Sequence, residues 1–169
     1  MTINRGGMQD RIQPVLLDRL TDDSPHETSE GDVSRTFSLA RLREAILRDL
    51  SWLLNVSQLS TTIDLTPYPE VATSTLNYGV RSRTGSEVGG LDPSALRHEI
   101  LTSLRRFEPR LLPESLEVTM IQDARDGTFQ FRIEADLWAQ PQPLHMLMRT
   151  EMGEATGSVR VIEMRGEGS

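Results

Sequence analysis

The apolar positions of this chain follow two periods, and the period changes once. Over residues 36–55, Leu39, Leu42, Ile46, Leu50, Leu53 and Leu54 recur at spacings of three and four. That spacing predicts a helix with one apolar stripe. Arg41, Glu44 and Arg48 fall on the opposite side, with Glu44 one turn before Arg48 and placed to pair with it. Thr36 or Ser38 can cap the start, and Trp52 flanks the stripe near the end. A second helix opens at Asp92-Pro93, carries Leu96, Ile100, Leu104 and Phe107 on one face, and must stop at Glu108 because Pro109 follows. After Pro113 the period becomes two. Strands are predicted over 116–121 and 128–137 around an Asp126-Gly127 turn, then over 144–152 and 158–164 around Gly153 and Gly157. Between the helices, Pro67-Tyr68-Pro69 forces an extended turn, and a short helix over 70–77 should stop near Gly79. Helices first and strands after predict an α+β domain, its N-terminal helices packed on an antiparallel β-meander. The strand holding Phe129 and Phe131 should be central, and Val159-Arg160-Val161-Ile162 should lie at an edge.

The segment before this domain divides in two. Leu16, Leu17 and Leu20 form a short apolar patch that cannot hold a helix alone, so it must dock on its own domain or on another chain, and a partner is the expectation. Behind it, Asp22, Asp23, Glu27, Glu30 and Asp32 stand in a stretch without large apolar residues, the composition of a tether. The organisation expected is a docking patch and tether over 1–35, one domain over 36–165, and a frayed tail over 166–169. The loop over 85–90 is rich in glycine but lacks the strand before it and the Lys-Ser/Thr after it that a phosphate cradle needs.

Composition narrows the function classes. With no cysteine among 169 residues, disulfides, thiolate nucleophiles and cysteine metal sites are excluded, and a reducing compartment such as the cytoplasm fits. A net charge of −7 argues against nucleic acid as the main partner. No run is long and apolar enough to span a membrane. His26, His98 and His145 share no metal-ligand spacing. No cofactor, metal or catalytic site is expected.

The most constrained stretch is Glu108-Pro109-Arg110, between the second helix and the sheet. If it is locally extended, the carboxylate and the guanidinium project to the same side of a stiff corner. Three uses remain open at this point: a bridge from helix end to sheet, an exposed pair that recognises another chain, and a catalytic acid. For sugar hydrolysis Glu108 would need a second carboxylate, with Glu70, Glu99 or Glu114 as candidates. Arg110 beside it favours the ionised form, the reverse of what a general acid requires. With only 5% aromatic residues there is also little for a sugar to stack on.

Several runs together carry a family resemblance. In order they are Leu16-Leu17-Asp18-Arg19-Leu20, Leu42-Arg43, Arg48-Asp49-Leu50-Ser51-Trp52-Leu53-Leu54-Asn55, Leu76-Asn77-Tyr78-Gly79, Phe107-Glu108-Pro109-Arg110-Leu111, Leu137-Trp138-Ala139 and Arg149-Thr150-Glu151. With these, nearly the whole chain resembles the phage baseplate-wedge family once labelled lysozyme-like, and within it the TssE group of bacterial type VI secretion. The resemblance implies a non-enzymatic subunit of a cytoplasmic, membrane-docked baseplate, sitting with TssF and TssG and near TssK. It also implies likeness to the handshake domain of contractile sheath subunits, so that the chain would template the first TssB/TssC ring by strand exchange. Glu108, Pro109 and Arg110 match the family's functional motif, and Trp52, Leu16, Leu17 and Leu20 are the further contact residues expected. The acidic tether over 22–32 departs from the pattern. Muramidase activity and a free adaptor role are the alternatives.

Overall fold

The computed structural model describes residues 16–20, 39–81, 92–121, 129–138, 143–152 and 158–164. The tether, the caps at Thr36 and Ser38, the loop over 85–90, both hairpin turns and the tail at 166–169 lie outside these ranges. Within them the order is α1 (Leu16–Leu20), α2 (Leu39–Asn55), a 3-10 turn (Leu59–Thr61), α3 (Pro69–Thr73), a second 3-10 turn (Thr75–Asn77), α4 (Pro93–Phe107), then β1 (Glu117–Ile121), β2 (Phe129–Leu137), β3 (Leu144–Met152) and β4 (Val159–Glu163). The fold is α+β, as the change of period predicts.

The four strands form one antiparallel sheet in the order β1-β2-β3-β4. β2 is therefore central and β4 is an edge, as expected. Strand alternation sends Phe131, Ile133, Ala135 and Leu137 of β2 and Met146 and Met148 of β3 to one face, all buried. Against them α2 sets Leu42, Ile46, Leu50, Leu53 and Leu54, and α4 sets Leu96, Ile100 and Leu104. A fully buried side chain of this size contributes about 1.5–3 kcal/mol, so this layer supplies most of the driving force for folding. Leu39 differs from its expected place in the stripe: it is exposed at the start of α2.

Both rims of the sheet are met by helix side chains. The Asn55 carboxamide, at the end of α2, accepts from the Val159 N–H and donates to the Val159 carbonyl, both at 2.8 Å. Met164 N–H bonds back to Leu147 of β3, so by strand alternation Val159, Val161 and Glu163 turn their backbone groups to the free side. At the opposite rim Arg97 of α4 donates to the Val118 carbonyl of β1 at 3.2 Å.

The helix predicted over 70–77 is broken. Pro69 opens α3 at its first position, but Ser74 is extended (ψ 173°) and its hydroxyl caps the next turn by accepting from the Leu76 N–H. Asn77 then sits buried, accepting from the Ser60 N–H and donating to the Ala72 carbonyl. Gly79 follows at φ 115°, where an added Cβ would lie 2.2 Å from the Val56 carbonyl oxygen. Only glycine fits this crossing, which places Tyr78 under the corner between α4 and the sheet.

Candidate functional site

The corner begins as a helix stop. Asp92 caps α4 by accepting from the Ser94 N–H, Pro93 starts it, and Pro109 ends it. Glu108 is the C-terminal cap, at φ −120° and ψ 77°, its N–H still bonded to Leu104. A tight turn follows, closed by the Leu111 N–H to the Glu108 carbonyl, and the chain then runs alongside the end of β2. There the Trp138 N–H donates to the Arg110 carbonyl at 2.9 Å and the Leu112 N–H to Asp136 at 2.8 Å, while Leu111 fills the core. The Arg110 backbone is thus tied to the sheet before its side chain is counted.

The two charges of the corner do lie on the same side, but they do not project freely. Glu108 is buried, 4% exposed. Arg110 grips both of its carboxylate oxygens, with Nε 2.5 Å from Oε1 and Nη2 on Oε2. This bidentate geometry is the strongest form of the ion pair. The same Nη2 donates to Asp49 Oδ2 of α2 at 2.6 Å. The expected exposed pair is instead a clamp joining α4, the corner and α2. Burial by itself would lower the Arg110 pKa, but the hydrogen bonds and charges of Glu108 and Asp49 push it up, so the cation is fixed. Only Pro109 is turned outward.

Asp49 extends the clamp into a chain of alternating charges. Its Oδ1 accepts from Arg48 Nε at 2.9 Å, and Arg48 Nη1 reaches Asp18 Oδ1 of α1 at 2.8 Å. The Glu44–Arg48 pair expected along α2 gives way to these two aspartates. The Arg48 guanidinium also lies over the half-exposed Trp52 ring, 5.2 Å from its centre. Tyr78 closes the inner side, edge-on to Phe107 at 5.2 Å and donating to the Asp49 carbonyl at 3.5 Å. Its phenol is pushed up by burial and by the Asp49 and Glu108 charges.

Every residue expected to make contacts is therefore linked through one assembly. Glu108 is its buried strut and Arg110 its partly buried one, and Pro109, Trp52, Leu16, Leu17 and Leu20 are its exposed parts. Asp18, Arg48, Asp49 and Tyr78 were missed as site residues. The adjacent Arg48-Asp49 pair on the polar edge of α2 carried the signal, but its partners lie 30 and 61 residues away in the chain. The carboxylates considered as mates for Glu108 do not join it: Glu99 accepts from the Arg81 N–H, and Glu70 and Glu114 stand exposed on α3 and in the turn after Pro113. No group of His, Asp and Glu able to hold a metal ion occurs among the described residues, and none of their helices is long and apolar enough to cross a membrane.

Comparison with curated proteins and with solved structures gives no match. The model of the family described as baseplate wedge protein gp25 does match, over residues 40–142. That span holds α2, α4, the clamp and the two strands that follow it, more than half of the 169 residues, so the chain belongs to the baseplate wedge protein gp25 family, a family of structural baseplate proteins.

Proposed function

We propose that the chain is a structural subunit of a type VI secretion baseplate wedge that joins the wedge to the contractile sheath and templates its first ring. The observation carrying this reading is the clamp. A carboxylate gripped by a guanidinium and shut away from solvent is a strut, out of reach of a substrate's leaving group. This supports a non-enzymatic role over muramidase action. Around the strut, Pro109, Trp52, Leu16, Leu17 and Leu20 form the contact surface, while Glu108 and Arg110 hold it in shape. The partners are TssF, TssG and TssK on the wedge side and TssB/TssC on the sheath side, on the cytoplasmic face of a membrane-docked baseplate. The antiparallel sheet backed by helices supports likeness to the sheath handshake domain, with β4 as the rim for strand exchange.

The test uses Trp52, which is half-exposed and can be cut back without opening the core. A contact aromatic typically contributes about 2 kcal/mol or more, so Trp52→Ala should weaken co-purification with TssF and TssG roughly thirtyfold and abolish visible sheaths. Its melting temperature should stay within about 2 °C of wild type. Normal sheaths in the Trp52→Ala strain remove that residue from the contact surface. Normal sheaths in cells lacking the protein altogether remove the proposed role.

A further inference from the structure

The N-terminal helix docks the wrong way round for an apolar segment. Leu16 and Leu20 are one turn apart on the same side of α1, and Asp18 lies between them on the other. It is Asp18 that faces the domain, its side chain only 8% exposed, while Leu16 and Leu20 are 69% and 74% exposed. Burial of Leu16 and Leu20 therefore does not hold the helix in place. Asp18 instead sets its carboxylate on Arg48, a guanidinium already oriented by Asp49 and by the Trp52 ring. The fit is incomplete, because Asp18 Oδ2 is buried without a hydrogen-bond partner among the described residues. A helix this short has no stability of its own, so its contacts with the domain, the Asp18–Arg48 pair among them, decide whether it stays.

We propose that Arg48 and Trp52 form a seat for a carboxylate borne on a short leucine-bearing helix, that α1 fills this seat in the free chain, and that an acidic segment of a partner displaces α1 on assembly. The seat's chemistry is read from its present occupant. Arg48 is supported from behind by Asp49 and the Arg110 clamp, so it keeps its position when Asp18 leaves. Release of α1 exposes the cation and lets the helix carrying the three leucines move away from Trp52, so the two halves of the contact surface change together. Identifying the displacing segment with a wedge subunit rests on the function proposed above.

The experiment needs only this chain and a synthetic peptide of residues 13–24. Trp138, 63% exposed, is replaced by Phe so that emission reports Trp52 alone. In that background the peptide should bind the full-length Asp18→Asn chain about fivefold or more tightly than the chain with Asp18 in place, because the closed helix withholds the seat. Asp18→Asn in the peptide, or Arg48→Gln in the chain, should abolish binding. Equal affinity for both chains, undiminished binding of the altered peptide, or no binding to the opened chain would each overturn the proposal. Sheath assembly in cells decides the baseplate role separately, so the two failures are distinguishable.

Discussion

Glu108 and Arg110 show how burial changes what a charged pair is for. An ion pair at the surface contributes little, and removing it does little harm. Here Glu108 is 4% exposed and Arg110 18%, so removing Arg110 leaves a carboxylate stranded in the interior, while removing Glu108 leaves Arg110 with Asp49 alone. Arg110→Ala should destabilise the protein by about 3–5 kcal/mol, and Glu108→Ala by less, because Asp49 still faces the guanidinium. The double substitution should cost clearly less than their sum, as measured by urea unfolding of the three variants. Additive losses would mean that the two side chains act independently. Charge reversal at either position is correspondingly a test of folding first and of assembly second, which is why Trp52 is the better probe of the contact surface.

The elements meet through side chains at their ends. Asn55 closes α2 and occupies the backbone of Val159 in the same two-bond manner as a neighbouring strand would. Asn55→Ala should leave that donor and acceptor without their helix partner, at about 1–3 kcal/mol if water does not replace it. Faster hydrogen exchange at the Val159 amide, with the centre of β2 unchanged, is the expected readout; an unchanged Val159 rate would show that the contact protects nothing. Both long helices, all four strands and the central place of β2 were legible in the sequence, because period and proline placement are local signals. Local signals also marked Glu108 as a helix stop beside Arg110. They did not reveal that Arg110 ties the corner to Asp49, since Asp49 arrives from another helix. Nor did they show Ser74 breaking the helix expected over 70–77, where a hydroxyl cap and the buried Asn77 override the pattern. The orientation of α1 was hidden for the same reason: nothing near Asp18 in the chain reveals Arg48.

At the scale of the whole molecule, every one of the 18 basic residues is an arginine, and there is no cysteine. Above pH 9 the two tyrosines are therefore the side chains left to titrate. Tyr78 has its pKa raised in the fold, first by burial and then by the charges of Asp49 and Glu108. The unfolded chain thus loses this proton first, at about pH 10. The native phenol's contribution is complete below that pH and is lost as pH rises towards the folded value, so stability should fall from about pH 10 upward. Urea unfolding at pH 9 and 11 should show this decline in the wild type and a smaller one in Tyr78→Phe; equal declines would place the alkaline sensitivity elsewhere.

The partly occupied rims of the sheet have a consequence for how copies of the chain meet one another. An open strand margin invites the next molecule to add on, and repetition of that step makes fibres. Here a second copy pairing at Val159 of β4 would first have to evict the Asn55 carboxamide, and one pairing at Val118 of β1 the Arg97 guanidinium. The chain carries its own brake on self-stacking, and lengthening of the sheet becomes conditional on an incoming strand that competes better for those margins than the molecule's own helices do.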